Sequence, residues 1–231
     1  MDAVEKKPHT AIQSLYAFQL GLREYTPVWQ AMQHYTQHRD EDSNDQLWIV
    51  EHPSVFTVGQ AGDMAHVLSA GNIPVIHVDR GGQVTYHGPG QVVIYPLIHI
   101  ARLGIGIRCL VNTLEEAVIQ MLAAYGVQAE RREKAPGVFV DDAKIASLGL
   151  RVRRGCTFHG LAMNVAMDLS PFNRINPCGF QGLTMTQLSE QGCQQSWLTV
   201  SQDLSQRISD LLGLEMIQSN DLPTDYFEPV Q

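Results

Sequence analysis

Between two apolar runs, the stretch Arg80-Gly81-Gly82-Gln83-Val84-Thr85-Tyr86-His87-Gly88-Pro89-Gly90-Gln91 packs four glycines and a proline. That is far more backbone specialisation than a simple turn requires. Glycines permit positive φ and leave room for a ligand to approach the backbone, and the arginine, tyrosine and histidine could define one end of a pocket. A bulged strand running into a turn would also account for the glycines. The pattern matches neither the dinucleotide-binding fingerprint nor a P-loop, which argues against a nucleotide phosphate.

Thr26-Pro27 followed by Val28, Trp29, Met32 and Tyr35 predicts an amphipathic helix with a capping hydroxyl and proline at the first helical position. The polar run over residues 39–45 ends it. Short β-branched or apolar runs at residues 47–51, 55–58 and 75–78 predict strands. A second helix is expected over residues 108–125, with Leu110, Leu114, Val118, Met121 and Leu122 on one face and Gly126 as its stop. Residues 138–140 and 145–152 flank Asp141-Asp142-Ala143 as a hairpin with an acidic turn. Another strand is expected at 161–165, then a Pro-, Asn- and Gly-rich loop over 168–182 held against the body of the protein. A last helix is expected over 200–212, closed by Gly213.

A chain of 231 residues can be served by one core, so a single domain over residues 1–231 is expected. No run approaches the roughly 20 apolar residues of a membrane helix, and the polar start MDAVEKKPHT lacks a secretory signal, so the expected setting is soluble and cytoplasmic. Cys109, Cys156, Cys178 and Cys193 form no C-x-x-C pair, which points to reduced thiols and away from zinc. A net charge of −8 disfavours nonspecific nucleic-acid binding. Within that acidic chain, residues 131–154 hold seven basic residues (Arg131, Arg132, Lys134, Lys144, Arg151, Arg153, Arg154) against three acidic ones (Glu133, Asp141, Asp142). Such a patch steers an acidic partner or protects a solvated strand edge.

Three positions carry potential chemistry. Asn176-Pro177-Cys178-Gly179 sets a thiol between a rigid proline and a permissive glycine in a polar loop. A free thiol, with a pKa of roughly 8.5, needs a cationic or basic neighbour to act as a nucleophile, and a bystander cysteine would fit the position too. Lys144 follows an acidic pair, so it is either a surface ion-pair partner or a desolvated lysine that exchanges protons with a thiol. His159, before Gly160, fits a satisfied core histidine as well as a catalytic one.

Together these segments resemble the bacterial lipoyl(octanoyl) transferases, which carry octanoyl from acyl carrier protein to lipoyl domains. The resemblance spans Val50-Glu51-His52-Pro53, residues 80–91, Ala135-Pro136-Gly137-Val138, and residues 144–152, 155–164 and 168–179. The first ten residues and residues 181–197 match loosely.

The resemblance implies an α/β domain of the biotin/lipoate protein ligase-like fold, a mixed, mostly antiparallel sheet with packed helices. It implies Cys178 as acyl-accepting nucleophile and Lys144 as its acid–base partner. It also implies an acyl pocket lined by Arg80, Gly81, Gly82, Gln83, Val84, Thr85, Tyr86, His87, Ser147, Leu148, Gly149, Gly160, Leu161 and Ala162. No metal or cofactor is expected. The implied partners are octanoyl-acyl carrier protein as donor, and lipoyl domains of 2-oxoacid dehydrogenase complexes and the glycine cleavage H protein as acceptors, with the enzyme a monomer. Two alternatives are an ATP-dependent lipoate or biotin ligase, which would not need Cys178, and a noncatalytic module that binds acyl carrier protein.

Overall fold

The computed structural model describes residues 13–219 apart from residue 134, so the polar start and Lys134 of the basic stretch lie outside the described residues. The elements run β1 (Ser14–Leu22), α1 (Tyr25–His38), β2 (Asp45–Glu51), β3 (Val55–Val58), β4 (Val75–His77), β5 (Val84–His87) and β6 (Gln91–Leu97). They continue α2 (Ile107–Ala124), β7 (Glu130–Arg132), β8 (Ala135–Val140), β9 (Ala143–Arg153), β10 (Cys156–Asn164), α3 (Trp197–Leu212) and β11 (Glu215–Ser219). The larger sheet has the order β11-β1-β2-β6-β10-β9-β8-β7, and a smaller one the order β4-β3-β5. β1 runs parallel to both its neighbours, β3 runs parallel to β4, and the remaining pairs are antiparallel. The expected mixed, mostly antiparallel sheet with packed helices is therefore the observed one.

The central strands β2 and β6 read as almost continuous apolar runs because both their faces are covered. Alternate residues Leu47, Ile49, Val92 and Ile94 pack with Leu114, Val118 and Met121 of α2 and Leu204 and Ile208 of α3. The intervening Trp48, Val50, Val93 and Tyr95 meet Val28, Met32 and Tyr35 of α1. Between α1 and β2, Arg39 folds back onto Asp45 at 2.7 Å, joined there by Arg102 at 2.8 Å.

Helix starts depart from the sequence reading. α1 begins at Tyr25, with Glu24 at the cap and no side-chain cap bond, so Thr26 does not cap it. Pro27 is then third in the helix, still within the first turn, where a missing N–H breaks no helical bond. α3 begins at Trp197, before the expected Val200, because the Ser196 hydroxyl accepts from Thr199 N at 3.0 Å. Gly213 closes it in the left-handed region as expected.

The turn between β5 and β6 sets how the two sheets meet. Gln91 N donates to Gly88 O at 3.2 Å, with Pro89 and then Gly90 at φ 88° between them. That is a type II turn, which demands positive φ at its third residue. A Cβ on Gly90 would also lie 1.9 Å from the Ala166 carbonyl oxygen. Gly90→Ala is expected to destabilise the protein by on the order of 2–4 kcal/mol in urea unfolding. A midpoint equal to the wild type would show that this turn does not hold the sheets together.

Candidate functional site

After β10 the chain runs through two short 3-10 turns, Ser170–Arg174 and Pro177–Gly179. Phe172 and Ile175 anchor this loop on Phe56, Val84 and Tyr86, and Asn176 N donates to His66 O at 2.8 Å. The loop thus lies against the body, and at its tip Cys178 adopts φ 56°, an uncommon left-handed conformation for a residue with a side chain. Opposite it stands Lys144, the second residue of β9, with no solvent exposure. Its Nζ donates to Pro136 O at 2.9 Å and Cys178 Sγ at 3.2 Å, and lies 5.1 Å from the centre of the Phe139 ring. Among the described residues no carboxylate pairs with Lys144, so the surface ion-pair alternative does not hold. Asp142 turns instead to Arg132, at 2.9 Å.

Lys144 and Cys178 border a cavity of about 420 Å³, within the size range of small-molecule sites. Arg80, Gly81, Gly82, Gln83, Val84, Thr85 and His87 form one wall. Ser147, Leu148 and Gly149 from β9 and Gly160, Leu161 and Ala162 from β10 form another. Tyr86 does not line this cavity. Successive side chains of a strand face opposite sides, so Thr85 and His87 turn to the pocket and Tyr86 turns away. Its hydroxyl meets Ser54 Oγ at 2.9 Å, and its ring packs on Phe56 and Phe172. The sequence reading missed Tyr25, Val93, Tyr95, Ile107, Val111 and Phe180, which also line the cavity. They come from α1, β6, α2 and the loop after Cys178, and no local pattern marks them out from core residues.

One side of the pocket is a buried polar cluster. His159 donates through Nε2 to Asp79 Oδ1 at 2.9 Å, which leaves Nδ1 to accept from the Tyr25 hydroxyl at 3.5 Å. Trp29 Nε1 also donates to Asp79, at 2.9 Å. Burial alone would raise the Asp79 carboxyl, but the His159 and Trp29 donors outweigh it and hold it at about 2. His52 donates through Nδ1 to Arg23 O at 2.6 Å and accepts from Tyr95 at 2.8 Å. His87 donates to Gln91 Oε1 at 2.7 Å. Burial pushes His52 down to about 4 and His87 to about 3. Burial likewise lowers Arg80, against the opposing influence of Tyr25 and Cys178.

The basic stretch divides. Lys144 is buried, Arg131 pairs with Glu115 and Glu116, and Arg132 pairs with Glu130 and Asp142. Arg151, Arg153 and Arg154 are exposed and, among the described residues, form no ion pair.

A mixed sheet flanked by helices is the fold of the lipoate and biotin protein ligase-like proteins, and here it carries a lysine-paired thiol beside a mostly apolar pocket. The family model of the lipoyl protein ligase A/B catalytic domain matches residues 24–209, and the chain belongs to that family. It is 58% identical over 203 residues to an octanoyltransferase of Shewanella amazonensis, covering 88% of this chain and 94% of that relative. It is 56% identical over 205 residues to an octanoyltransferase of Shewanella frigidimarina, covering 89% and 95%. Among solved structures, the bi-partite lipoate protein ligase of Thermoplasma acidophilum superposes with a TM-score of 0.74 at 16% identity, over 93% of this chain and 91% of the other. A lipoate-protein ligase A bound with ATP gives 0.71 at 15% identity, over 94% and 93%. At such identity the structural likeness speaks to the fold alone.

The depressed histidines carry a consequence for stability. Between pH 6.5 and about 4 the unfolded chain protonates His52 and His87 while the folded protein keeps them neutral. Their contribution is therefore complete above pH 6.5 and is lost as pH falls through that window, by on the order of 1–3 kcal/mol each. His87→Asn should flatten the fall in unfolding free energy between pH 6.5 and 4. Equal slopes for variant and wild type would contradict the neutral assignment.

Proposed function

We propose that this protein is an octanoyltransferase that moves an octanoyl group from acyl carrier protein to the lysine amine of a lipoyl domain, through a thioester on Cys178. The observation that carries this reading is the 3.2 Å contact between Lys144 Nζ and Cys178 Sγ at the edge of a mostly apolar pocket. An ammonium beside the sulfur favours thiolate, the nucleophilic form. The thiolate attacks the carrier thioester and expels the carrier thiol, which takes its proton from Lys144. The acceptor lysine amine then attacks the acyl-enzyme, forming the amide and returning the Cys178 thiolate, while Lys144 accepts the amine proton. Thioester exchange is nearly neutral in energy and aminolysis is downhill, so the activated donor replaces the nucleotide that a ligase consumes. The acceptors in this reading are the lipoyl domains of 2-oxoacid dehydrogenase complexes and the glycine cleavage H protein. The setting is cytoplasmic, in keeping with four free cysteines.

Incubation with octanoyl carrier protein and no nucleotide should add one octanoyl mass, removed by hydroxylamine and absent in Cys178→Ala. Lys144→Arg should form some acyl-enzyme but transfer it at least tenfold more slowly, since guanidinium keeps the charge and cannot serve as the base. An adduct that requires ATP, or that persists in Cys178→Ala, would place the protein with the ligases or the nucleophile elsewhere.

Arg151 and Arg153, exposed near the pocket wall at Leu150, supply the docking charge for the acidic carrier domain in this reading. Raising salt should weaken apparent donor affinity, because exposed charges are screened over a Debye length of about 8 Å at physiological ionic strength. Activity flat from low to high salt, and indifferent to Arg151→Glu and Arg153→Glu, would remove these arginines from the interface.

A further inference from the structure

Glu115 is a carboxylate on the buried face of α2, between Leu114 and Val118, with only 5% of its surface exposed. A carboxylate so placed is costly unless hydrogen bonds replace its water. Its Oε2 lies 3.4 Å from Arg131 Nε, but that guanidinium is 39% exposed and also engages Glu116 and the Asn112 carbonyl. A half-exposed arginine does not explain why the acid is inside. The inward contact does: Oε1 accepts from Gly137 N at 2.9 Å.

The carbonyl of Pro136 and the N–H of Gly137 belong to one peptide plane. No described peptide bond is cis, so these two groups point in opposite directions. Fixing the N–H towards α2 aims the Pro136 oxygen the other way, where Lys144 Nζ donates to it at 2.9 Å. The same Nζ contacts Cys178 Sγ at 3.2 Å. Gly137 is at φ 136°, and a Cβ there would lie 2.5 Å from Ala146 O and 3.0 Å from Lys144 Cε. The plane is thus held by a carboxylate on one side and a closely packed strand on the other, with Pro136 locking φ just before it.

We propose that Glu115 is a positioning residue for the Lys144–Cys178 pair, acting through the Pro136–Gly137 peptide. It touches neither reactant. It orients the carbonyl that holds the ammonium against the sulfur. The inference rests on the assignment of Lys144 and Cys178 as the reacting pair.

Three substitutions separate the clamp from its charge. Glu115→Gln keeps an acceptor oxygen for Gly137 N and loses the charge. Glu115→Asp keeps the charge and withdraws the acceptor by one methylene, and Glu115→Ala removes both. The measurements are the pH profile of Cys178 alkylation by iodoacetamide and steady-state octanoyl transfer, with Lys144→Met alongside. Glu115→Gln should stay within about threefold of wild type in alkylation rate at pH 7. Glu115→Ala should fall about tenfold, its profile moving up by about one pH unit, with kcat reduced and donor KM little changed. Glu115→Asp should lie between them. If Glu115→Ala does not fold, the order of Gln above Asp decides the question. Profiles that match wild type in Asp and Ala, or a loss in Gln as large as in Asp, would overturn the proposal while a response to Lys144→Met leaves the reacting pair intact. A profile unmoved by Lys144→Met would defeat the pair and the proposal together.

Discussion

A lysine side chain with no solvent exposure must find inside the protein what water would have given it. Leaving an ammonium unpaired there costs several kcal/mol, so the surroundings of Lys144 cannot be arbitrary. It has a carbonyl, a sulfur and an aromatic face, from Pro136, Cys178 and Phe139, and each stands on a different constraint. The carbonyl depends on the orientation of one peptide plane in β8. The ring depends on the register shift between Val138 and Phe139, where β8 pairs with β9. The sulfur depends on a left-handed Cys178 at the tip of a loop whose base is packed into the smaller sheet. The larger sheet, the smaller sheet and the loop therefore meet at one ammonium.

Local pattern was enough for the elements whose stability is local. The amphipathic faces of α2 and α3 and the hairpin at Asp141-Asp142 are legible because each repeats or turns within a few residues. The strands β1, β7 and β11 were not read, and β5 was read only as part of the glycine-rich stretch. β1 and β11 pair in parallel from opposite ends of the described chain, Ser14 beside Glu215, and nothing in either segment announces the other. β7 is three residues of Glu and Arg, which form a strand only because β8 offers an edge.

The site was legible in proportion to how much of it is backbone. Glycines at residues 81, 82 and 160 and the Pro-Cys-Gly turn announced close approach, and they do border the pocket or its thiol, whereas Gly149 entered only through the family resemblance. Side-chain direction was less accessible: Tyr86 sits among pocket residues in the sequence and on the other side of the strand in space. Lys144 was ambiguous because two aspartates precede it, and only the hairpin geometry sends Asp142 to Arg132 and the lysine inward. Glu115 was not singled out in the sequence, where it is one polar residue in a largely apolar helix. Its partner is 22 residues away, across the gap between α2 and β8.

The polar side of the pocket bears on what form of acyl group it can take. Arg80 is the guanidinium in the wall, and a free acid would seek it. Its Nε donates to Thr57 Oγ1 at 3.2 Å, its Nη2 to Thr57 O at 2.6 Å and its Nη1 to Gly81 O at 2.9 Å. Those donors cannot form the bidentate fork by which arginine grips a carboxylate without giving up bonds that hold the glycine segment in place. The histidines and tyrosines of the cluster are likewise engaged with one another, with Asp79, with the Gln91 side chain or with the backbone. A polar wall whose demands are met internally asks nothing of the ligand, so an alkyl chain can lie along it without leaving a buried group unpaired. The pocket is thereby suited to a neutral, largely apolar chain beside Cys178 and poorly suited to drawing in a free carboxylate by its charge.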